Sequence, residues 1–464
     1  MKRSYRYWRW LVILAIGLGI SISSGCVRYR PKPVDPVRNL SVIESRTTDD
    51  PNLRAFLETN GVHVSDPPKW DLRALTLVAF YFHPDLDEAR ASAAVSRGAV
   101  ITAGQRPNPQ FSPGLTVDTT TSPAWIPSFG LQIPIETAGK RGHRLAQARQ
   151  LERAAQQRVV RVAWDVRSRV RRSLIDFVAA RRSEEMLGRE VAFQDQIIEL
   201  LVRQLDAGVV TPFEVTQARL AAANTRLAAD QASFQRSLAG AALADALGLS
   251  PQAFASLAPF VDAGDFSGIQ VPDENVRRQA LVSRTDVLAA LSDYEASQAA
   301  LQLEIARQYP DIQLGPGYQL DQTDNKWTVI GLNVTLPVFS RNQGPIAETE
   351  AQREQAAARL LSVQATALRQ VSEAVGTLGA ARRKVATAQS LVTTARQQEQ
   401  RARARYELGD ISRQEAVTTQ LETVADEIAL SDAQLQADQA AGTLEDAIQS
   451  PLGFEKIVLR NPRP

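Results

Sequence analysis

The side chains able to carry covalent or metal chemistry are few and widely spaced. The chain has one cysteine, Cys26, three histidines, His63, His83 and His143, and only two methionines. A single thiol excludes an intrachain disulfide, and ligands this scattered do not make a soft-metal or zinc site within one subunit. No Walker-type phosphate loop, HExxH helix, paired cysteine ligands or nucleophile–base cluster occurs, so neither catalysis nor a cofactor is expected. One polar pattern is spelled twice: Gly208-x-x-Thr211-x-x-Glu214 and Gly409-x-x-Ser412-x-x-Glu415. Its chemistry acts on the backbone. A glycine takes the left-handed conformation that ends one helix, and a hydroxyl with a carboxylate three residues on caps the next. Each pattern therefore reverses the chain into an antiparallel helical hairpin, and capping alone accounts for its residue types.

The elements that hold these turns are long helices. Val159, Val162, Val166, Val170, Leu174 and Phe177 step by three and four, and Ile198, Leu201 and Leu205 resume the pattern. Val371, Val375, Leu378 and Val385 repeat it in the second half. So narrow a stripe is a coiled-coil seam. Helical patterns also run from Trp70 to about Thr102, with an interruption at His83-Pro84-Asp85, and from Val276 to Arg307.

Between helices lie two hairpins. One opens at Pro107 and ends at Pro134; its echo opens at Pro310 and ends at Pro337, an offset of 203 at both ends (310 − 107 and 337 − 134). The turns are offset by 201 (409 − 208). Ile312, Leu314, Tyr318 and Leu320 alternate with Gln313, Gly315, Gly317 and Gln319; Ile330, Leu332, Val334 and Leu336 alternate with Gly331, Asn333 and Thr335. In the first copy Pro127, Phe129, Leu131 and Ile133 alternate with Ser128, Gly130 and Gln132. Half-buried strands of soluble sheets alternate in the same way. Lipid is favoured because both copies reach about nine or ten residues, the length of a tilted barrel strand, and neither has a domain beside it to pack on. Trp125, Trp327 and Tyr318 are candidate interfacial anchors.

With 464 residues, a net charge of +2, 22% charged and 6% aromatic residues, the chain is neither a nucleic-acid binder nor built around one thick core. Lys2, Arg3, Arg6 and Arg9 precede a short apolar run, Leu11 to Ile20, the order of an export signal too short to span a bilayer. Ser23-Ser24-Gly25-Cys26 is similar to a bacterial lipoprotein cleavage box, departing at Ser23, where leucine is usual. That likeness makes Cys26 the lipidated first residue, an anchor but not a span, and Val27 after it favours the outer membrane. The alternative is an ordinary signal peptide with an incidental thiol. The expected layout is a signal peptide at 1–25, a Pro-rich arm at 26–68, and a first repeat at 69–255 (hairpin 107–134, coiled coil 142–250). A linker at 256–275, a second repeat at 276–453 (hairpin 310–337, coiled coil 344–450) and a tail at 454–464 complete it.

The whole arrangement, from about Trp70 to Gly453, resembles the TolC-type outer membrane efflux proteins. Ile135-Glu136-Thr137-Ala138-Gly139-Lys140-Arg141 and Leu336-Pro337-Val338-Phe339-Ser340-Arg341-Asn342-Gln343-Gly344 are similar to the cobalt-zinc-cadmium branch. The resemblance implies a mainly α fold with a membrane β-barrel. A homotrimer would pool its hairpins into 12 strands above a long α-helical periplasmic tunnel, in the outer membrane of a Gram-negative bacterium. It implies a passive exit duct for heavy-metal cations or drugs, served by a periplasmic adaptor (membrane fusion protein) and an inner-membrane pump of the RND type. The adaptor-docking turns map to Gly208, Thr211, Glu214, Gly409, Ser412 and Glu415. The tunnel constriction maps to Glu415, whose three copies would favour cations, with Thr418 where relatives carry a second acid. Arg203, Asp206, Arg403, Arg405 and Asp410 are candidate latches. Type I protein secretion, or a lipid-anchored coiled-coil spacer of the envelope, are the alternatives.

Overall fold

The computed structural model describes residues 27–63, 69–117, 125–261, 271–321, 324–328 and 331–450; the signal segment, Cys26 and the C-terminal tail lie outside them. The chain divides into two units, Met1–Ser45 and Arg46–Pro464. The first contains one described helix, α1 (Pro36–Glu44), started by the Asp35 carboxylate accepting from the Val37 N–H at 3.0 Å and carrying no buried side chain.

The second unit is the duplicated one. Its first half runs α2 (Pro51–Thr59), α3 (Leu72–Phe82), α4 (Pro84–Gly104), β1 (Gln110–Val117), β2 (Trp125–Ile135), α5 (Lys140–Asp206), α6 (Pro212–Leu247) and α7 (Pro251–Leu257). Its second half runs α8 (Glu274–Ser283), α9 (Thr285–Ala306), β3 (Ile312–Leu314), β4 (Gly317–Asp321), β5 (Asp324–Thr328), β6 (Leu332–Val334), α10 (Gln343–Glu407) and α11 (Arg413–Ile448). α5 has 67 residues, a span of roughly 100 Å at ~1.5 Å per residue. Each half kinks before its hairpin. His83 (ψ 123°) separates α3 from α4, and Arg284 (ψ 139°) separates α8 from α9, since an extended residue cannot continue the helical hydrogen-bond ladder.

The core gathers where a short helix covers the long ones. Leu53 and Leu57 of α2, Leu75 and Val78 of α3, Val166, Val170 and Leu174 of α5, and Leu243 and Leu247 of α6 are fully buried together. A smaller cluster joins Val371 and Leu378 of α10 to Leu444 and Ile448 of α11. The seam read from sequence is thus buried at its centre. Val159, Ile198, Leu205 and Val385 are only half-buried, because fewer elements cover them within one chain.

The strands make one antiparallel sheet in which β1 pairs with β2, β2 with β3 and β4, and these with β6 and β5 respectively. Phe129↔Tyr318 and Ile135↔Ile312 keep one register along the junction of the two hairpins. The second hairpin departs from expectation: each of its strands is in two pieces instead of one run of nine or ten. Gly315-Pro316 interrupts the first, and proline has no N–H to give the ladder. Residues 118–124, 322–323 and 329–330, Ile330 among them, lie outside the described residues. Phe111, Phe129, Tyr318 and Trp327 stand in a row on one face, neighbouring ring centroids 6.3, 5.2 and 4.4 Å apart. Phe111, Phe129 and Trp327 are exposed. Among the described residues no helix is long and apolar enough to cross a membrane.

Candidate functional site

Both turns close as glycine-ended helices. Gly208 (φ +74°) donates to the Leu205 carbonyl at 2.9 Å, and the Val209 N–H reaches back to Gln204 at 2.8 Å. Gly409 (φ +82°) and Asp410 make the same two bonds, to Tyr406 and Arg405, at 2.9 Å each. This double bond pattern satisfies the last carbonyls of each long helix. The helix starts then differ. At the first turn the capping box is complete. The Glu214 carboxylate accepts from the Thr211 N–H at 2.6 Å and hydroxyl at 2.9 Å, and the Thr211 hydroxyl oxygen accepts from the Glu214 N–H at 3.4 Å. Those bonds hold the exposed Glu214 carboxyl below its ordinary value. At the second turn only half of the expected box forms. Ser412 accepts from the Glu415 N–H at 3.1 Å, and among the described residues no return bond ties the Glu415 side chain. Glu415 therefore offers an exposed, uncommitted carboxylate. Thr418 spends its hydroxyl on the Gln414 carbonyl at 3.0 Å, so it adds no charge beside Glu415. Val209, Phe213 and Leu408 are exposed around the two tips, an apolar surface beside the caps.

The candidate latch charges do not join helices. Arg203 pairs with Glu199 and Arg403 with Glu407, each within its own helix, and Asp206, Arg405 and Asp410 make no ion pair among the described residues. A clamp that crosses three helices is made by Glu427 of α11. It accepts from Arg189 of α5 and Arg396 of α10, both at 2.8 Å. Burial pushes the Glu427 carboxyl up, but the two guanidinium groups outweigh it and hold it below the usual carboxylate range.

Higher along α5 a buried ionic joint ties the first repeat to the second. Glu445, 1% exposed, accepts from Arg167 at 2.7 Å and from Arg171 at 2.6 Å. Arg171 also holds Asp446 at 2.6 Å and the Gly442 carbonyl at 2.8 Å, while Trp164 and Ser168 donate to Asp446. Sequence reading missed both joints because each ties residues more than 230 positions apart (427 − 189 and 445 − 171). The available signal was charge balance: α11 carries eight acidic residues and one basic, and α5 is arginine-rich.

The two kinks are equivalent and chemically inverted. His83 Nε2 accepts from Arg169 at 2.8 Å with Asp85 nearby, whereas Arg284 chelates Asp286 at 2.7 Å and donates to Gln370 at 3.0 Å. Arg284 stands 201 residues after His83, and Gln370 201 after Arg169 (284 − 83 and 370 − 169), so the cation has moved from one helix to its neighbour. Burial lowers the His83 pKa, the Arg169 charge adds to that, and Asp85 opposes it. A depressed histidine contributes stability that is complete above its unfolded value, about 6.5, and is lost as pH falls towards the folded value. Acidification from about pH 7 to 5 is therefore expected to lower the Tm read by tryptophan fluorescence, and His83→Gln to flatten that slope. An unchanged slope would remove His83 from the kink's pH response.

At the foot of the sheet, Lys140 donates to the Tyr309 carbonyl at 2.6 Å and to Asp311 at 2.7 Å, and the Thr137 hydroxyl donates to Pro310 at 2.7 Å. Gly139 at φ +71° turns the chain so that Lys140 can reach across. The phrase Ile135 to Arg141 thus fastens one hairpin to the next where strands give way to helices. Among the described residues no group of three or more His, Cys, Asp or Glu side chains is placed to hold a metal.

Comparison with known proteins agrees with this geometry. The chain is 27% identical over 300 residues to the cobalt-zinc-cadmium resistance protein CzcC of Cupriavidus metallidurans, covering 64% of this chain and 70% of that one. Its fold matches the outer membrane protein VceC of Vibrio cholerae (TM-score 0.67, 21% identity, 82% of this chain and 96% of that one). It also matches the open state of the MtrE outer membrane channel of Neisseria gonorrhoeae (TM-score 0.67, 15% identity, 82% and 89%). The outer membrane efflux protein pattern fits residues 82–249 and again 276–448, the two halves of the duplication, and the chain belongs to the outer membrane efflux protein family, channel proteins of the Gram-negative outer membrane.

Proposed function

We propose that three copies of this chain form a passive exit duct through the outer membrane, the last component of a tripartite efflux system. The observation that carries the reading is the sheet. Four antiparallel strand paths end in open edges at β1 and at β5 and β6, with an exposed aromatic row on one face. Four strands cannot enclose a pore, and open edges are not tolerated in lipid. Twelve strands from three copies close the cylinder, and the long helical hairpins continue it as a periplasmic tunnel.

In this assembly the tips at Gly208, Thr211 and Glu214 and at Gly409, Ser412 and Glu415 dock a periplasmic adaptor, with Val209, Phe213 and Leu408 as their apolar contacts. An inner-membrane pump of the RND type supplies the energy. Glu415, uncommitted to its cap, forms a ring of three carboxylates that favours cations; Thr418 leaves that ring single. Cys26 carries the lipid, and the expected layout from the 1–25 signal to the 454–464 tail is retained. Heavy-metal cations are the favoured cargo, on the likeness to a cobalt-zinc-cadmium resistance protein over 300 residues. That no metal cluster stands among the described residues does not oppose this, since a duct need not bind what it conducts.

Deleting the gene in its host is expected to raise sensitivity to cobalt, zinc or cadmium, and the adaptor and pump should co-purify with the cross-linked protein. Drug sensitivity alone would redirect the cargo, a secretion defect would favour the type I reading, and no change in any of them would contradict export. Glu415→Ala is expected to raise single-channel conductance and weaken block by polycations in planar bilayers. Unchanged values for both would remove Glu415 from the constriction.

A further inference from the structure

The duplication carries more than the fold: it predicts which residues meet across the subunit seam. Within one chain α5 lies against α11. Shifted by 201 residues, α5 becomes α10 and α11 becomes the preceding copy's equivalent, α6. Yet α10 and α6 of one chain leave those faces bare. Arg167 is 5% exposed under α11, while its equivalent Leu368 (368 − 167 = 201) is 57% exposed on α10. On α6, Leu220, Leu227, Phe234 and Leu238 form an exposed stripe, whereas Leu421, Ile428 and Leu435, the equivalents of the first three, are half-buried on α11. The uncovered faces are thus the two halves of a contact already made once inside the chain.

A second observation fixes the register. At the internal joint Arg171 crosses over Gly442 so closely that a Cβ there would lie 2.6 Å from the arginine Nε. The equivalent positions are Ser372 and Ala241 (372 − 171 and 442 − 241, each 201): where the arginine shrinks to serine, the glycine has become alanine. The volumes compensate although the two residues belong to faces left bare within one chain. Charge compensates as well. Ser168 meets Asp446 inside the chain, and their equivalents, Arg369 and Asp245, are exposed and of opposite sign.

We propose that α10 of one copy packs on α6 of the next in the register of the internal α5–α11 joint, setting Ser372 against the partner subunit's Ala241 and pairing Arg369 with the partner subunit's Asp245. This rests on the trimeric reading above and specifies its seam. The ring then alternates two kinds of joint: a buried ionic one inside each subunit, and an apolar one with a single exposed charge pair between subunits.

The test uses the full-length protein purified in detergent, its mass first measured by native mass spectrometry. The pair Ser372→Cys with Ala241→Cys is oxidised and compared with Ser372→Cys with Asp230→Cys, three turns further along α6, and with each single variant as a control for Cys26. A reductant-reversible three-chain species from the first pair and monomers from the second are expected. A native trimer in which the first pair stays monomeric, or the second cross-links, overturns the register while leaving the trimer standing. A native monomer overturns both. Arg369 and Asp245 are exposed in the single chain, and Arg369 also pairs with Glu373 on its own helix; Arg369→Asp should fold yet lower the trimer fraction at low salt, about fivefold or more in the association constant, and adding Asp245→Arg should restore it. An unchanged trimer fraction, or weakening without rescue, overturns the pairing.

Discussion

Glu445→Gln is expected to cost about 3–5 kcal/mol of stability, the usual consequence of removing one partner from a buried ion pair. The side chain is 1% exposed and lies between Arg167 and Arg171, themselves buried. Glutamine keeps the shape but removes the charge, leaving two desolvated guanidinium groups facing a neutral side chain, with Asp446 still beside Arg171. Against total stabilities of about 5–15 kcal/mol, such a loss should lower Tm by many degrees and reduce recovery of folded protein. Replacing Arg171 and Glu445 together by methionine should cost less, because no buried charge is stranded. Arg203→Gln, at an exposed pair within one helix, should stay within about 0.5 kcal/mol of the parent. If Glu445→Gln melts with the parent, the joint does not hold the two repeats together.

The second large effect is expected at Glu427→Gln. Glu427 is the carboxylate that joins α5, α10 and α11 near the tips, so its loss frees three helices that must move apart if the tunnel opens by sliding packed helices. Both arginines are more than half exposed and solvent screens them, so the clamp is discounted to about 1 kcal/mol, roughly fivefold in an open-to-closed ratio. Open-channel dwell time in planar bilayers reads this directly. Since the folded carboxyl sits below its usual range, the clamp is intact above an unfolded value of about 4.3 and is released as pH falls through the lower folded value. Acid should therefore mimic the substitution in the parent and have little further effect in the variant. Equal dwell times for both proteins would remove Glu427 from gating.

The features legible in the sequence are those fixed by neighbours along the chain. Apolar spacing placed the long helices, alternation placed the hairpin faces that Phe129 and Tyr318 share, and Gly208 and Gly409 marked the reversals because only glycine takes that φ cheaply. Long-range chemistry was hidden. Nothing local to Glu427 or Glu445 distinguishes them from the other acids of α11, and Arg189, Arg167 and Arg171, which hold them, come from the other repeat. Ser412 and Glu415 repeat the first turn's letters, yet only the backbone of Glu415 joins the cap. The spacing showed that a box was possible but could not say which rotamer the carboxylate takes. The split of the second hairpin was missed for a related reason. Pro316 interrupts a ladder whose alternation continues on either side of it.

The central claim is that the hairpins of three chains share one cylinder in lipid. Reconstituting the purified protein in a planar bilayer, after weighing its complex in detergent, tests this most directly. Trimers that carry cation-favouring ionic current are the predicted result; a monomer soluble without detergent and electrically silent would contradict it.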